Sequence, residues 1–366
     1  MTRVKVKSSY ESLGGYSDFV DRNRGLNELG ELFREKTKDP SNSRGVVSKV
    51  VSIWSDGTRM TGTLWKPKGA LGAPESSYPA ILLCHGWGGI RDHLDVRFGQ
   101  AFAQAGFVTL TFDYRGWNDS DGVMISAIDS DNTKQQDTGR ESDASDGAGS
   151  SADNLKAHIV RKTVDMDWQL TDIESAFYYL DGEKVVDSER IGIWGISQGG
   201  GHVLSFGGRM RDRVRAIVAE VPSCGVVGAG KIRELKQQAR EEAISRARGD
   251  ISLSVKQGAK NHHLTGMDGC PQLSKLVRYR PLDSAQFITS PTLIIDARDE
   301  EIFDREENGK AAWKILKENG VECAYEVLPG RHYDAYDGKD GQFKQGTSMA
   351  VDFFKKHLGE GKRSKL

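Results

Sequence analysis

The chain has 366 residues and a formal net charge of −1 at pH 7, with 51 lysines and arginines against 52 aspartates and glutamates. Hydrophobic residues make up 37% and charged residues 28%, which predicts a folded chain with a sizeable core. The even charge balance gives no reason to expect a nucleic-acid partner. We see neither a membrane-length apolar stretch nor a secretory signal, so we expect a soluble intracellular protein with no membrane span.

The sequence contains no pattern typical of a metal site. The cysteines Cys84, Cys224, Cys270 and Cys323 are scattered, which suits reduced thiols better than a disulfide framework or zinc site. The neighbouring His262 and His263 have no partner at metal-ligand spacing. We therefore expect neither a metal nor another cofactor.

The last three residues are Ser364, Lys365 and Leu366. A terminal Ser-Lys-Leu is an address read by the peroxisomal import receptor. We expect that receptor as a partner and the peroxisome as the location; otherwise the tail is solvated and the protein cytoplasmic.

Residues 1–45 predict an N-terminal helical extension, because Leu26, Leu29, Leu32 and Phe33 recur at helical spacing. This helix can pack on its own chain or on a second copy, so a homo-oligomer stays an open alternative.

Residues 46–54 and 61–65 predict a hairpin that turns at Asp56-Gly57. From Ala80 onward, short apolar strands alternate with helices, which is typical of an α/β fold with a mostly parallel sheet covered on both faces. The core is predicted to comprise residues 46–222 and 291–366.

Two insertions interrupt this alternation. Residues 129–153 contain seven acidic residues and only alanines as apolar side chains, which predicts an acidic surface loop or a flap. Residues 223–290 include Ile232, Leu235, Ala239 and Ala243 on one helical face. We interpret this segment as a small helical cap, with a merely decorative surface helix as the alternative.

Ser197 is the candidate nucleophile, in the sequence Gly195-Ile196-Ser197-Gln198-Gly199. G-x-S-x-G is weak alone, but here it follows a predicted strand and leads into three consecutive glycines. A strained turn from strand to helix needs small flanking residues and exposes the serine at a helix N-terminus, where the helix dipole favours an anion.

Serine requires a base and an orienting acid. His332 follows a late predicted strand and is the predicted base. Four carboxylates crowd the loop after residues 292–295. The distance in sequence from the end of the strand favours Glu300 as the orienting acid. The distance back from Ile302 favours Asp299 instead.

The predicted oxyanion hole uses the backbone N–H groups of Gln198 and Trp87. Trp87 lies in the segment His85-Gly86-Trp87-Gly88-Gly89, and we expect Gly86 and Trp87 to border the substrate. His85 is better explained as a brace for this loop. Arg115 is predicted to hold its own loop rather than a substrate carboxylate.

Together, the H-G-W-G-G loop, the D-Y-R-G segment from Asp113, the G-x-S-x-G and the late G-R-H resemble the α/β-hydrolase superfamily over residues 46–360. The sequence is most similar to the dienelactone-hydrolase and acyl-peptidase-like branch. With the Ser-Lys-Leu terminus, it also resembles fungal hydrolases and transferases of polyketide intermediates.

The resemblance and the residues favour a serine hydrolase that cleaves an ester or thioester of a small-molecule acyl substrate, in peroxisomal or secondary metabolism. An acyltransferase that passes the acyl group to an alcohol or amine is the main alternative. A peptidase and a non-catalytic binding protein are less favoured.

Overall fold

A computed structural model describes residues 45–126, 157–225, 229–248, 269–337 and 341–359. The predicted N-terminal helix, acidic loop and terminal Ser-Lys-Leu lie outside these ranges. Within them, no helix combines the length and apolar character needed to cross a membrane.

The described helices and strands follow in chain order. They are β1 (Val46–Ser55), β2 (Thr58–Pro67), β3 (Tyr78–Cys84), α1 (Asp92–Leu94), a π-helical turn (Asp95–Gly99), α2 (Gln100–Gln104), β4 (Val108–Phe112), β5 (Val123–Ser126), β6 (Ala157–Val160), β7 (Thr163–Val164), α3 (Met166–Asp181), β8 (Val186–Ile196), α4 (Gln198–Arg209), β9 (Ala216–Glu220), α5 (Ala229–Ala247), β10 (Cys270–Pro271), α6 (Leu273–Leu276), α7 (Pro281–Ala285), β11 (Thr292–Ala297), α8 (Gly309–Glu318), β12 (Cys323–Leu328), α9 (Asp334–Asp337) and α10 (Gln342–Leu358).

An eight-stranded sheet has the order β1-β2-β4-β3-β8-β9-β11-β12. The expected hairpin is confirmed, since β1 pairs antiparallel with β2, and β2 pairs antiparallel with β4. All later neighbours are parallel. The predicted α/β fold with a mostly parallel sheet is confirmed.

Both faces of the sheet are covered. Along β3, Leu82 and Cys84 belong to the buried cluster that packs against α3 and α4, whereas Ile81 and Leu83 belong to the cluster that packs against α2 and α10. This is why the central strands appear in the sequence as continuous apolar runs.

The helical segment after β3 begins at Asp92 and contains the π-helical turn. Asp95 starts that turn and is buried. Its carboxylate accepts hydrogen bonds from Thr63 Oγ1 (2.9 Å), Trp65 Nε1 (3.3 Å) and Thr111 Oγ1. The widened turn thus accompanies a polar attachment of the helix to β2 and β4, which apolar periodicity cannot predict.

The acidic insertion lies in the sequence between β5 and β6, which pair as an antiparallel ribbon that the sequence analysis did not predict. Within residues 223–290, the described elements are α5, β10, α6 and α7. Strand β10 pairs with β7, and Lys275 contacts the α3 N-cap Asp165 at 2.6 Å. That these elements cap the site stays a prediction.

Glu220 is buried at the end of β9, beside the start of α10. Burial raises the pKa of its carboxyl to about 8, against a smaller opposing effect of Trp194. The folded protein therefore retains a proton on Glu220 at pH values where the unfolded chain has lost it.

We predict that wild-type stability falls with rising pH across this window, because unfolding releases that proton. Glu220→Gln removes this ionisation. The free energy of unfolding of the variant should therefore increase relative to that of the wild type as pH rises, by up to ~1.4 kcal/mol per pH unit. Urea unfolding between about pH 5 and about pH 9 measures the difference. The exposed Glu326→Gln is the control; a pH-independent difference for Glu220→Gln contradicts the assignment.

Candidate active site

Ser197 sits on a sharp turn between β8 and α4, with φ of +59°. A Cβ at position 195 would lie 2.2 Å from the Gly199 carbonyl oxygen, and one at position 199 would lie 2.2 Å from the Cys84 carbonyl oxygen. The two glycines of the motif are thus required by close backbone packing. This strained conformation is the one expected of a nucleophile elbow.

Backbone hydrogen bonds hold the elbow from both sides. The Ser197 N–H donates to the Glu220 carbonyl oxygen at 2.9 Å, and the Ser223 N–H donates to the Ser197 carbonyl oxygen at 2.9 Å. Both partners belong to β9 or the loop that follows it, so the neighbouring strand fixes the position of the serine.

A continuous hydrogen-bond chain joins Ser197, His332 and Glu300. Ser197 Oγ lies 2.9 Å from His332 Nε2, and His332 Nδ1 lies 2.8 and 3.0 Å from the two Glu300 carboxylate oxygens. Because a carboxylate accepts hydrogen bonds only, Nδ1 carries the proton, and Nε2 is free to accept from the serine hydroxyl.

Of the two candidate acids, Glu300 is the one that reaches His332. Its side chain is 3% exposed, and it also accepts the backbone N–H groups of Ile302 (2.9 Å) and Phe303 (3.2 Å). Although burial opposes ionisation, the charge and hydrogen bond of His332 lower the pKa of Glu300. Asp299 is exposed, and its N–H donates to the Gly330 carbonyl oxygen. The geometry therefore favours Glu300.

Two contacts that the sequence analysis missed position His332. Its backbone N–H donates to Glu301 at 2.9 Å, and its ring meets Phe303 edge-on at 5.3 Å between centroids. The loop after β11 thus supplies both partners for the His332 ring and an anchor for its backbone.

Of the residues expected at the oxyanion hole, Gln198 follows the serine directly, and Gly86, the neighbour of Trp87, lies against it. Gln198 begins α4 directly after Ser197, so its N–H belongs to the unpaired first turn of the helix. A Cβ at Gly86 would lie 3.0 Å from Ser197 Cβ, which brings this loop against the nucleophile. Trp87 is half-buried and packs against the core.

A buried polar network holds the Gln198 side chain. Its Nε2 lies 2.6 Å from Gln169 Oε1 and 3.1 Å from His202 Nε2, and His202 Nδ1 lies 2.9 Å from the Tyr279 hydroxyl. Burial lowers the pKa of His202 to about 3, so the imidazole is neutral. This network ties the start of α4 to α3 and to the segment before α7.

His85 and Arg115 occupy structural positions. His85 Nδ1 lies 2.9 Å from the Gly86 carbonyl oxygen, and burial lowers its pKa to about 4. The Arg115 guanidinium donates to Asp172 (2.7 Å) and Ser55 (2.6 Å), both buried. Arg115 therefore holds its loop against α3 and β1, as predicted.

Tyr336, in α9, is a residue of the site that the sequence analysis did not single out. Its phenol oxygen lies beside Gly86 and Ser197, since a Cβ built on Gly86 would lie 2.6 Å from Tyr336 Oη and 3.0 Å from Ser197 Cβ. The spacing His-x-x-x-Tyr is not distinctive by itself, and only the three-dimensional packing brings the phenol to the serine.

Among the residues that the structure describes, no group of His, Cys, Asp and Glu side chains has the arrangement of a metal site. The side chains gathered here are a serine hydroxyl, an imidazole and a carboxylate in hydrogen-bond contact. This arrangement is suited to acyl transfer to serine.

Comparison with known proteins gives a family and several relatives. A family model described as the alpha/beta hydrolase fold matches residues 79–242. An uncharacterized 31.7 kDa protein of Escherichia coli is 30% identical over 305 residues, which cover 77% of this chain and 92% of that protein. The thiohydrolase AneE of Aspergillus aculeatus is 25% identical over 187 residues, covering 51% of this chain and 44% of the relative.

Among solved structures, the α/β hydrolase GrgF from Penicillium sp. sh18 has the same fold, with a TM-score of 0.55 and 17% identity. The alignment covers 85% of this chain and 99% of GrgF. With the sheet order and the elbow geometry, these matches lead to one conclusion: the chain belongs to the α/β-hydrolase fold family.

Proposed function

We propose that this protein hydrolyses esters or thioesters of small acyl compounds through an acyl-enzyme on Ser197. The observation that carries the proposal is the hydrogen-bond chain from Ser197 through His332 to Glu300, at the end of a strained strand-to-helix turn. Membership of a hydrolase family and the similarity to a protein named as a thiohydrolase support it.

In the proposed reaction, Ser197 Oγ attacks the substrate carbonyl carbon while its proton passes to His332 Nε2. Glu300 stabilises the imidazolium, and the N–H groups of Gln198 and Trp87 stabilise the oxyanion. The imidazolium then protonates the leaving alcohol or thiol. Water, deprotonated by His332, attacks the acyl-enzyme and releases the carboxylic acid.

Acyl transfer to an alcohol or amine uses the same acyl-enzyme and differs only in what replaces water. Hydrolysis is our proposal because the family model and the thiohydrolase relative are named as hydrolases. Analysis of free acid and transferred product, with and without an added alcohol or amine, distinguishes the two reactions.

Import into peroxisomes stays a prediction from Ser364, Lys365 and Leu366, as do the polyketide or fatty-acyl nature of the substrate and the cap over residues 223–290. We expect the terminal tripeptide to bind the import receptor without contributing to the chemistry.

We predict that Ser197→Ala abolishes turnover of activated esters and acyl thioesters, with kcat/KM falling by at least ~10⁴-fold, because the nucleophile is lost. Release of p-nitrophenol from esters and of thiol from thioesters measures this. Ser188→Ala, on the same strand, is the control and should retain wild-type rates. Comparable turnover by Ser197→Ala would exclude the proposed mechanism.

We predict that Glu300→Gln lowers kcat by ~10³- to 10⁴-fold, because an amide cannot hold the Nδ1–H tautomer or stabilise the imidazolium. Asp299→Asn, its exposed neighbour, should stay within about threefold of the wild type. Steady-state kinetics on the two variants measure the contrast; a larger loss for Asp299→Asn would reassign the acid.

A further inference from the structure

The Tyr336 phenol borders both the nucleophile and the loop expected to complete the oxyanion hole. A Cβ built on Gly86 would lie 2.6 Å from Tyr336 Oη and 3.0 Å from Ser197 Cβ. The phenol oxygen therefore lies in the small space between the serine and the Gly86 backbone.

The position of this phenol is fixed by contacts with three parts of the fold. The Tyr336 N–H donates to the Tyr333 carbonyl oxygen at 3.0 Å, within the turn that follows His332. Arg97 Nη1 donates to the Tyr336 carbonyl oxygen at 2.9 Å, and the ring packs against the buried cluster that covers one face of the sheet. The hydroxyl is thus placed before substrate binds, as an efficient transition-state donor must be.

The protonation state of this group suits a donor. Burial raises the pKa of Tyr336 above its ordinary value, against a smaller opposing effect of Ser197. The phenol therefore keeps its proton over the working pH range. The Ser197 hydroxyl is directed at His332 Nε2, which leaves the Tyr336 O–H to donate to a substrate atom beside the serine.

We propose that Tyr336 is a catalytic residue that donates its hydroxyl hydrogen to the oxyanion of the tetrahedral intermediate, beside the N–H groups of Gln198 and Trp87. This inference rests on the proposed function. As Oγ forms its bond to the acyl carbon, the serine proton moves to His332, and the carbonyl π electrons move to oxygen. Tyr336 then hydrogen-bonds this oxygen and keeps its own proton throughout.

The test compares Tyr336→Phe, which keeps the ring, with Tyr336→Ala, which removes it. Loss of an oxyanion donor should lower kcat for Tyr336→Phe by ~10²-fold with KM little changed. The affinity for a trifluoromethyl ketone, which forms a tetrahedral oxyanion adduct on serine, should fall by a similar factor. Tyr178→Phe, which removes an exposed phenol, is the control.

A series of esters with leaving groups of increasing pKa distinguishes an oxyanion donor from a leaving-group donor. Our assignment expects the same fold-loss for Tyr336→Phe across the series. A loss that grows with leaving-group pKa would overturn it, as would a Tyr336→Phe variant within twofold of wild-type kcat. Wild-type activity of Tyr336→Phe with inactive Tyr336→Ala would instead assign the ring a packing role.

Should Tyr336→Phe not fold, 2,3-difluorotyrosine at position 336 provides a nearly isosteric replacement with a more acidic phenol. We expect its activity to decline at a lower alkaline pH than that of the wild type, as the donor proton is lost; unchanged pH profiles would contradict the proposal. Failure of the Tyr336 proposal is distinguishable from failure of the proposed function. If the Ser197 mechanism is wrong, Ser197→Ala stays active; if only the role of Tyr336 is wrong, Ser197→Ala is still inactive.

Discussion

The site depends on one steric constraint, the close approach of three backbone segments beneath Ser197. The carbonyl oxygen of Gly199 lies where the Cβ of a side chain at position 195 would be. The carbonyl oxygen of Cys84, at the end of β3, lies where a Cβ at position 199 would be. Only glycines allow this approach, and the approach forces Ser197 to a positive φ. Such strain, of order 1–3 kcal/mol, persists only where the surrounding fold determines it.

The parallel sheet explains how distant residues meet at this turn. Strands β3, β8, β11 and β12 all end at the same edge, so the loops that follow them converge. Those loops provide Gly86, Ser197, Glu300 and His332 in that order. The chemistry is therefore divided among segments more than 200 residues apart in the chain, and the sheet brings them together.

The sequence was most informative where chemistry requires a fixed local pattern. The turn at Ser197, the hairpin at Asp56-Gly57 and the position of His332 after a late strand were all predicted from local signals. The structure shows the hairpin, a strand-to-helix turn at Ser197 and His332 after β12, while the roles of Ser197 and His332 stay proposals. The choice between Glu300 and Asp299 stayed open because two adjacent acidic residues in a loop cannot be told apart from the sequence. Their side chains have different surroundings, and only the loop geometry shows which of them contacts His332.

The remaining features are products of tertiary packing. Tyr336 Oη lies beside Gly86 and Ser197, and Arg97 donates a hydrogen bond to the Tyr336 carbonyl oxygen. The π-helical turn at Asp95 accompanies hydrogen bonds to two strands. Buried polar contacts of this kind join elements far apart in sequence and have no periodicity from which to predict them.

The central claim is that the fold activates Ser197 as a nucleophile. The most direct measurement is the intact mass of the protein after exposure to a fluorophosphonate, compared among the wild type, Ser197→Ala and His332→Ala. The account predicts a single adduct that forms rapidly on the wild type, no adduct on Ser197→Ala and slow labelling of His332→Ala. A folded wild type that forms no adduct, or equal labelling of Ser197→Ala, would contradict it.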